Sequence, residues 1–380
     1  MKRFVLVFSC ALVLSTAGLF AGDFEFLFHG VRFNFALLSP VPLPTGADVE
    51  FRYAIGRGDL GPTALCLRAA GGYEDKRIVR DPLSGNPIAA PTVMDNAYRY
   101  HSPNAQWDFG LLQSLVPGAN GNLAEAFLLY RGRFDNYVTN LPSSHFSDMN
   151  GLLGSSVIGG IAYKGVATLP RRYKEGVAGE ISFEWGPAAL NRGVAPTDFY
   201  RFDIKGQGYL PIYTAGDDDL NLFSLYACAF GSVDYAAGAQ IPIYVMQSFG
   251  GRELRTSLGG SVRGYPSKTY DAALKAVANF DIRAVGPALF EQAWFVPIVY
   301  GFYDAGYYSG LPLASAAYKD ASGIIMSTGV GIAVDVLDFA FIGARAGILI
   351  PGSDGLFPIY LANVASGKTS FFSVEFLLHY

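Results

Sequence analysis

The sequence predicts a transmembrane antiparallel β-barrel of about 16 strands. Three observations predict it: a leader of export type, an apolar composition without a spanning helix, and long segments that alternate apolar and polar residues. The leader has a positive start at Lys2 and Arg3, an uncharged and mostly apolar run from Phe4 to Phe20, and Ala21 before Gly22-Asp23. That is the layout of a secretory signal peptide over residues 1–21, leaving 22–380 as one barrel domain. Only 16% of residues are charged, and mean hydropathy is +0.26. Yet the most apolar later stretch, Val330 to Ile350, is interrupted by Asp335, Asp338 and Arg345, which argues against a membrane-spanning helix. Exported, apolar on average and free of spanning helices is the profile of an outer-membrane barrel.

The strands can be placed in order. Alternation puts them at 24–37, 47–56, 63–72, 104–114, 124–134, 153–164, 176–186, 198–212, 220–232, 236–247, 252–260, 276–286, 294–306, 323–334, 339–350 and 370–380. In 176–186, Val177, Gly179, Ile181, Phe183 and Trp185 form one row, and Glu180, Ser182 and Glu184 the other. In 198–212, Tyr200, Phe202, Ile204, Leu210 and Ile212 oppose Arg201, Asp203, Lys205 and Gln207. Successive strand side chains point to opposite faces, so each segment offers one face to lipid and one to water. Segments of this length suit a tilted membrane span better than a soluble sandwich. Connections after odd-numbered strands are long and those after even-numbered strands short, as in bacterial barrels with outward loops and periplasmic turns. The exception is the junction near Val233-Asp234, between the ninth and tenth segments.

The loop between 252–260 and 276–286 carries Val262-Arg263-Gly264-Tyr265. The next segment carries Asp281-Ile282-Arg283, and the one after it Phe302-Tyr303-Asp304-Ala305-Gly306. These three motifs, in this order, resemble the BamA/TamA-like superfamily of outer-membrane assembly and translocation barrels (the bacterial surface antigen family). The resemblance covers about 257–380. It implies that this loop, the sixth outward one, folds back into the lumen and that Arg263 pairs with acids on the inner wall. Phe372, Val374, Phe376, Leu378 and Tyr380 form an apolar row at the end of the chain. Ending on Tyr380, it resembles the signal read by the barrel-assembly machinery.

The residues themselves agree with the implied loop. A guanidinium inside a lumen must be paired, because burial alone costs several kcal/mol. Gly259, Gly260 and Gly264 suit tight turns. Asp281 shares a row with Asn279 and Arg283, expected to face the lumen. Asp304 shares a row with Tyr300 and Phe302, so parity alone does not place it. The first strand begins at Phe24, so a barrel-only member without POTRA domains is expected.

Other chemistry is sparse. The four histidines, His29, His101, His145 and His379, show no metal-ligand spacing. No Gly-x-Ser-x-Gly elbow is present. His145 near Ser143, Ser144 and Asp148 reads as a polar loop rather than a hydrolase, and Asp217-Asp218-Asp219 as a solvated turn. Cys66 and Cys228 are too few for a disulfide framework. The formal net charge of −4 argues against nucleic acid as a partner. No enzyme and no cofactor is expected. The expected partners are the outer-membrane bilayer and, by the resemblance, assembly proteins or periplasmic substrates. Assembly or translocation of proteins or lipids is the leading function, with a passive pore or a structural surface antigen as alternatives.

Overall fold

The computed structural model describes residues 24–33, 45–58, 61–77, 99–118, 121–135, 138–139, 152–168, 174–191, 197–216, 222–246, 262–265, 272–289, 295–309, 322–336, 340–350 and 369–378. Its strands are β1 (Phe24–Phe33), β2 (Thr45–Gly58), β3 (Gly61–Arg77), β4 (Arg99–Gly118), β5 (Gly121–Asp135), β6 (Val138–Thr139), β7 (Leu152–Thr168) and β8 (Lys174–Gly186). They continue with β9 (Asp198–Ala215), β10 (Phe223–Gln240), β11 (Leu274–Val285), β12 (Phe295–Ser309), β13 (Ser322–Val336), β14 (Ala340–Ile350) and β15 (Ser370–Leu378). All fifteen belong to one sheet. Each main strand pairs antiparallel with its neighbours in the chain, and the two-residue β6 lies on the end of β4. The order comes round to β1 and β15, which pair at Arg32↔Leu377 and Phe33↔Phe376.

Burial shows which face is which. On β8, Ile181, Phe183 and Trp185 are exposed, and Glu180, Ser182 and Glu184 are buried. On β9, Tyr200, Phe202 and Ile204 are exposed, and Arg201, Asp203 and Lys205 are buried. The same inversion recurs around the sheet, with Leu128, Val299, Val330 and Ile332 outside and Glu50, Asp108, Arg131 and Asp281 inside. An apolar exterior this extensive would be an aggregation surface in water. In a bilayer each such Leu, Ile, Val or Phe is worth about 1.5–3 kcal/mol relative to exposure in water. The molecule is therefore a transmembrane barrel of outer-membrane type. Among the described residues no helix is long and apolar enough to cross a membrane.

Two details differ from the sequence reading. No break occurs at Val233-Asp234: β10 runs from Phe223 to Gln240, taking in 220–232 and the start of 236–247. The alternation continues through the junction, with Val233 outside and Asp234 inside. The remainder of 236–247 includes a one-turn helix, Ile243–Met246, following Pro242, which has no N–H to give a ladder. The expected strand 252–260 lies outside the described residues. Fifteen strands are described, the two-residue β6 among them. Residues 1–21, Ser143, Ser144, His145, Asp148, Asp217–Asp219, Gly259, Gly260, His379 and Tyr380 also lie outside the described residues. Cys66 and Cys228 are free and buried.

Candidate functional site: the arginine tip in the barrel interior

The tip begins with a backbone requirement. Val262 to Tyr265 form a tight turn closed by Tyr265 N–H donating to the Val262 carbonyl at 3.2 Å. Gly264 holds φ +86° at the third position, which glycine takes without the steric cost a Cβ would bring. A Cβ there would also lie 2.4 Å from the Phe371 ring and 2.8 Å from Leu349. Glycine therefore meets two needs at once, the turn and the close approach to β14 and β15.

The turn delivers Arg263 into the wall. Its backbone N–H donates to Asp304 Oδ2 at 2.8 Å, and its Nε donates to the same oxygen at 2.7 Å. Its Nη2 donates to Asp304 Oδ1 at 2.6 Å and to Asp281 Oδ1 at 2.5 Å. The guanidinium carbon stands 4.0 Å from the centre of the Phe302 ring, a cation–π contact. Arg263 is 4% exposed and both aspartates 0%. Burial pulls the basicity of Arg263 down, but Asp304 and Asp281 outweigh it, so the guanidinium is held charged.

The neighbours complete the acceptors' bonding. Asn279 Nδ2 donates to Asp304 Oδ1 at 2.8 Å. Arg283 Nε and Nη2 donate to Asp281 Oδ2 at 3.1 and 2.8 Å. Val262 is buried beside Gly306, where a Cβ would come within 2.8 Å of it. Tyr265 is buried and its hydroxyl donates to the Ile350 carbonyl at 3.2 Å. The Phe302 ring lies 6.2 Å from that of Phe371 and 6.3 Å from that of Tyr300.

The structure thus brings together Val262, Arg263, Gly264, Tyr265, Asp281, Arg283, Phe302, Asp304 and Gly306. It also settles Asp304. Tyr300, Phe302 and Asp304 all point inward, because the interior face of β12 is aromatic where other strands are charged. The balance of partners favours Asp304, which parity alone does not place. Asp304 takes three bonds from Arg263, whereas Asp281 takes one and is shared with Arg283. The sequence does not mark Asn279, Leu349 and Phe371 as contacts of the tip. Asn279 was visible as a row-mate of Asp281; Leu349 and Phe371 are distant in sequence and carry no signal of their own. Phe376 and Leu378 lie on β15 by backbone, with side chains outside the described residues.

No protein-family model matches the chain, and no curated protein matches it. Among solved structures, the chain is similar to BamA and CdiB. The first is BamA from Haemophilus ducreyi lacking POTRA domains 1–3, at 12% identity and a TM-score of 0.48, covering 87% of this chain and 62% of that one. The second is CdiB from Acinetobacter baumannii, at 12% identity and a TM-score of 0.46, covering 89% of this chain and 51% of that one. This chain therefore spans between half and two thirds of the length of these two neighbours. A likeness this distant assigns no residue a role; the geometry above has to do so.

Proposed function

We propose that this barrel is exported by its leader to the outer membrane and takes part in inserting or translocating proteins or lipids there. In this reading the work is done at the join of β1 and β15, with the Arg263 tip as an interior stop. The observation that supports it is where the tip packs: Gly264 lies against Leu349 of β14 and Phe371 of β15, and β15 is the strand that meets β1. β14 and β15 pair from Ala340↔Leu378 to Ile348↔Ser370, and β1 and β2 from Phe24↔Tyr53 to Arg32↔Gly46. β1 and β15 pair at Arg32↔Leu377 and Phe33↔Phe376, where the described part of β1 ends. A barrel opened at this join would expose a strand edge, which is a template for another chain.

The test locks the join. Arg32→Cys with Leu377→Cys places two cysteines on paired residues, while the native Cys66 and Cys228 are buried. Insertion of a reporter barrel into liposomes should stop on oxidation and return on reduction. Full activity in the locked barrel would sink the proposal.

A small-solute channel is the second reading, favoured by an interior cavity of about 240 Å³ bordered by Glu50, Arg52, Arg68, Glu125, Lys164 and Lys205. Conductance steps from the unaltered barrel in a planar bilayer would favour the channel. Silence, with steps appearing only in Arg263→Ala, would favour the stop.

A further inference from the structure

The interior carries an apolar island that ion pairing does not explain. Cys66, Leu112, Phe127, Leu129, Ile158 and Ala162 form one buried cluster, drawn from β3, β4, β5 and β7. On β5 the inner face reads Glu125, Phe127, Leu129, Arg131 and Arg133, so two apolar side chains stand among charged ones. The ordinary lining of a barrel lumen is polar. All of the cluster except Ile158 borders the cavity of about 240 Å³. Glu50 and Arg52 of β2 border it too, as do Lys205 of β9 and Phe230 of β10, so it reaches across the interior. An apolar concavity with a few polar groups at its edge is the usual form of a small-molecule site. Its volume lies below the roughly 300–1,000 Å³ of sites for drug-sized ligands, which limits the occupant to about the size of an amino acid.

The polar edge carries both signs in pairs. Arg52 meets Glu50 at 2.5 Å, and Lys164 meets Glu125 at 2.8 Å. Lys205 and Glu180 face each other more widely, at 3.3 Å. Lys164, whose side chain is 43% exposed, marks where solvent reaches the cavity. Among the described residues that border it, four are acids and four are cations. An occupant of a single sign would upset that balance, and a buried net charge is expensive. A zwitterion adds no net charge. It also brings an acceptor to a cation and a donor to an acid, while an apolar arm covers the floor.

We propose that this cavity binds a small zwitterion with an apolar arm, of the class of the apolar α-amino acids. The arm lies on Leu112, Phe127 and Leu129. The carboxylate goes to Lys205 and the ammonium to Glu180, the wider pair, which a ligand parts without breaking a tight bond. The site rests on the cavity and not on what the barrel inserts, translocates or conducts. Saturable binding without conductance steps keeps the site and loses the channel; steps without saturable binding do the reverse.

Equilibrium dialysis of radiolabelled leucine against the full chain, folded in a nonionic detergent, tests it. Binding should saturate. Glycine lacks the arm, isocaproate the ammonium and isoamylamine the carboxylate. Each should compete at least about tenfold less well than unlabelled leucine, the factor expected for one buried apolar side chain or one charged hydrogen bond. Lys205→Met should weaken leucine by about tenfold or more. Ala178 borders the cavity from β8, so Ala178→Leu fills it with every charge kept and should abolish binding in a barrel that still melts cooperatively. The proposal is overturned if uptake does not saturate, or if isocaproate or isoamylamine competes as well as leucine. It is also overturned if either variant, folded, binds leucine as the unaltered barrel does.

Discussion

Along β4, β5 and β8 to β10 the interior charges are paired from strand to strand, whereas along β11 to β15 one arginine from a loop is set among aromatic rings and two aspartates. On the first wall, Arg131 holds Asp108 through two bonds of 2.7 and 2.9 Å and also faces Glu184 at 3.8 Å. Arg131, Glu184, Arg201 and Asp234 each have two neighbours of opposite sign, so the loss of one leaves a partial substitute. On the second wall Arg263 is the sole link of its turn to Asp304, and Phe302 closes over it. A distributed network tolerates local damage; a single buried cation with dedicated acceptors does not. The difference suits a rigid wall on one side and a removable element on the other.

The largest expected break in this contrast is at Asp304. Asp304→Ala removes the acceptor of three bonds and leaves the buried guanidinium with Asp281 alone; breaking a buried pair typically costs about 3–5 kcal/mol. The folded barrel should lose heat resistance on a gel, and the connection should become open to protease. Arg263→Ala should do nearly the same, and the double variant should be clearly less than additive. Arg263→Lys should restore only part, since an ammonium cannot serve Asp304 and Asp281 with a planar fork. A Lys variant equal to the unaltered barrel in melting temperature would show that geometry is not what holds the tip.

Gly264→Ala comes next. It forces a Cβ onto the Phe371 ring at 2.4 Å and into a left-handed φ, with a cost of about 1–3 kcal/mol. The tip should detach with every charge still in place, and protease sensitivity without a change at Asp304 would show it. On the ion-paired wall, Asp108→Asn should cost roughly 1.5–3 kcal/mol, less than Asp304→Ala, because the asparagine carbonyl still accepts from Arg131 and Glu184 stays near it. Equal melting temperatures for the two variants would remove the distinction between the walls. The smallest effect is expected at Lys164, whose side chain is 43% exposed as it bonds Glu125 at 2.8 Å. Lys164→Ala should shift stability by no more than about 1 kcal/mol.

Particular elements show why some of this was legible in the sequence. β8 and β9 alternate cleanly because lipid on one side and paired charge on the other leave no choice of residue type. β12 does not, since Tyr300, Phe302 and Asp304 all face inward, and the chemistry of its interior face is set by the arginine it receives. Around Val233-Asp234 a loop was expected where the strand continues, because Gly231, Ser232 and Asp234 look like turn residues when read locally. Their partners Ala278, Val277 and Lys275 on β11 supply the ladder that overrides this local preference.

By itself the sequence determined the class of this protein: alternation with few charges admits a barrel in a membrane and little else, because side-chain period and solvent preference are local properties. It also determined that Arg263 needs a carboxylate, since a buried guanidinium has no other cheap state. Only the tertiary structure decided that Asp304 rather than Asp281 is the main acceptor, and that Phe371 and Leu349 form the floor under Gly264. Those facts depend on which strands come to lie opposite one another. Register is set by the closure of the whole sheet, which no single segment encodes.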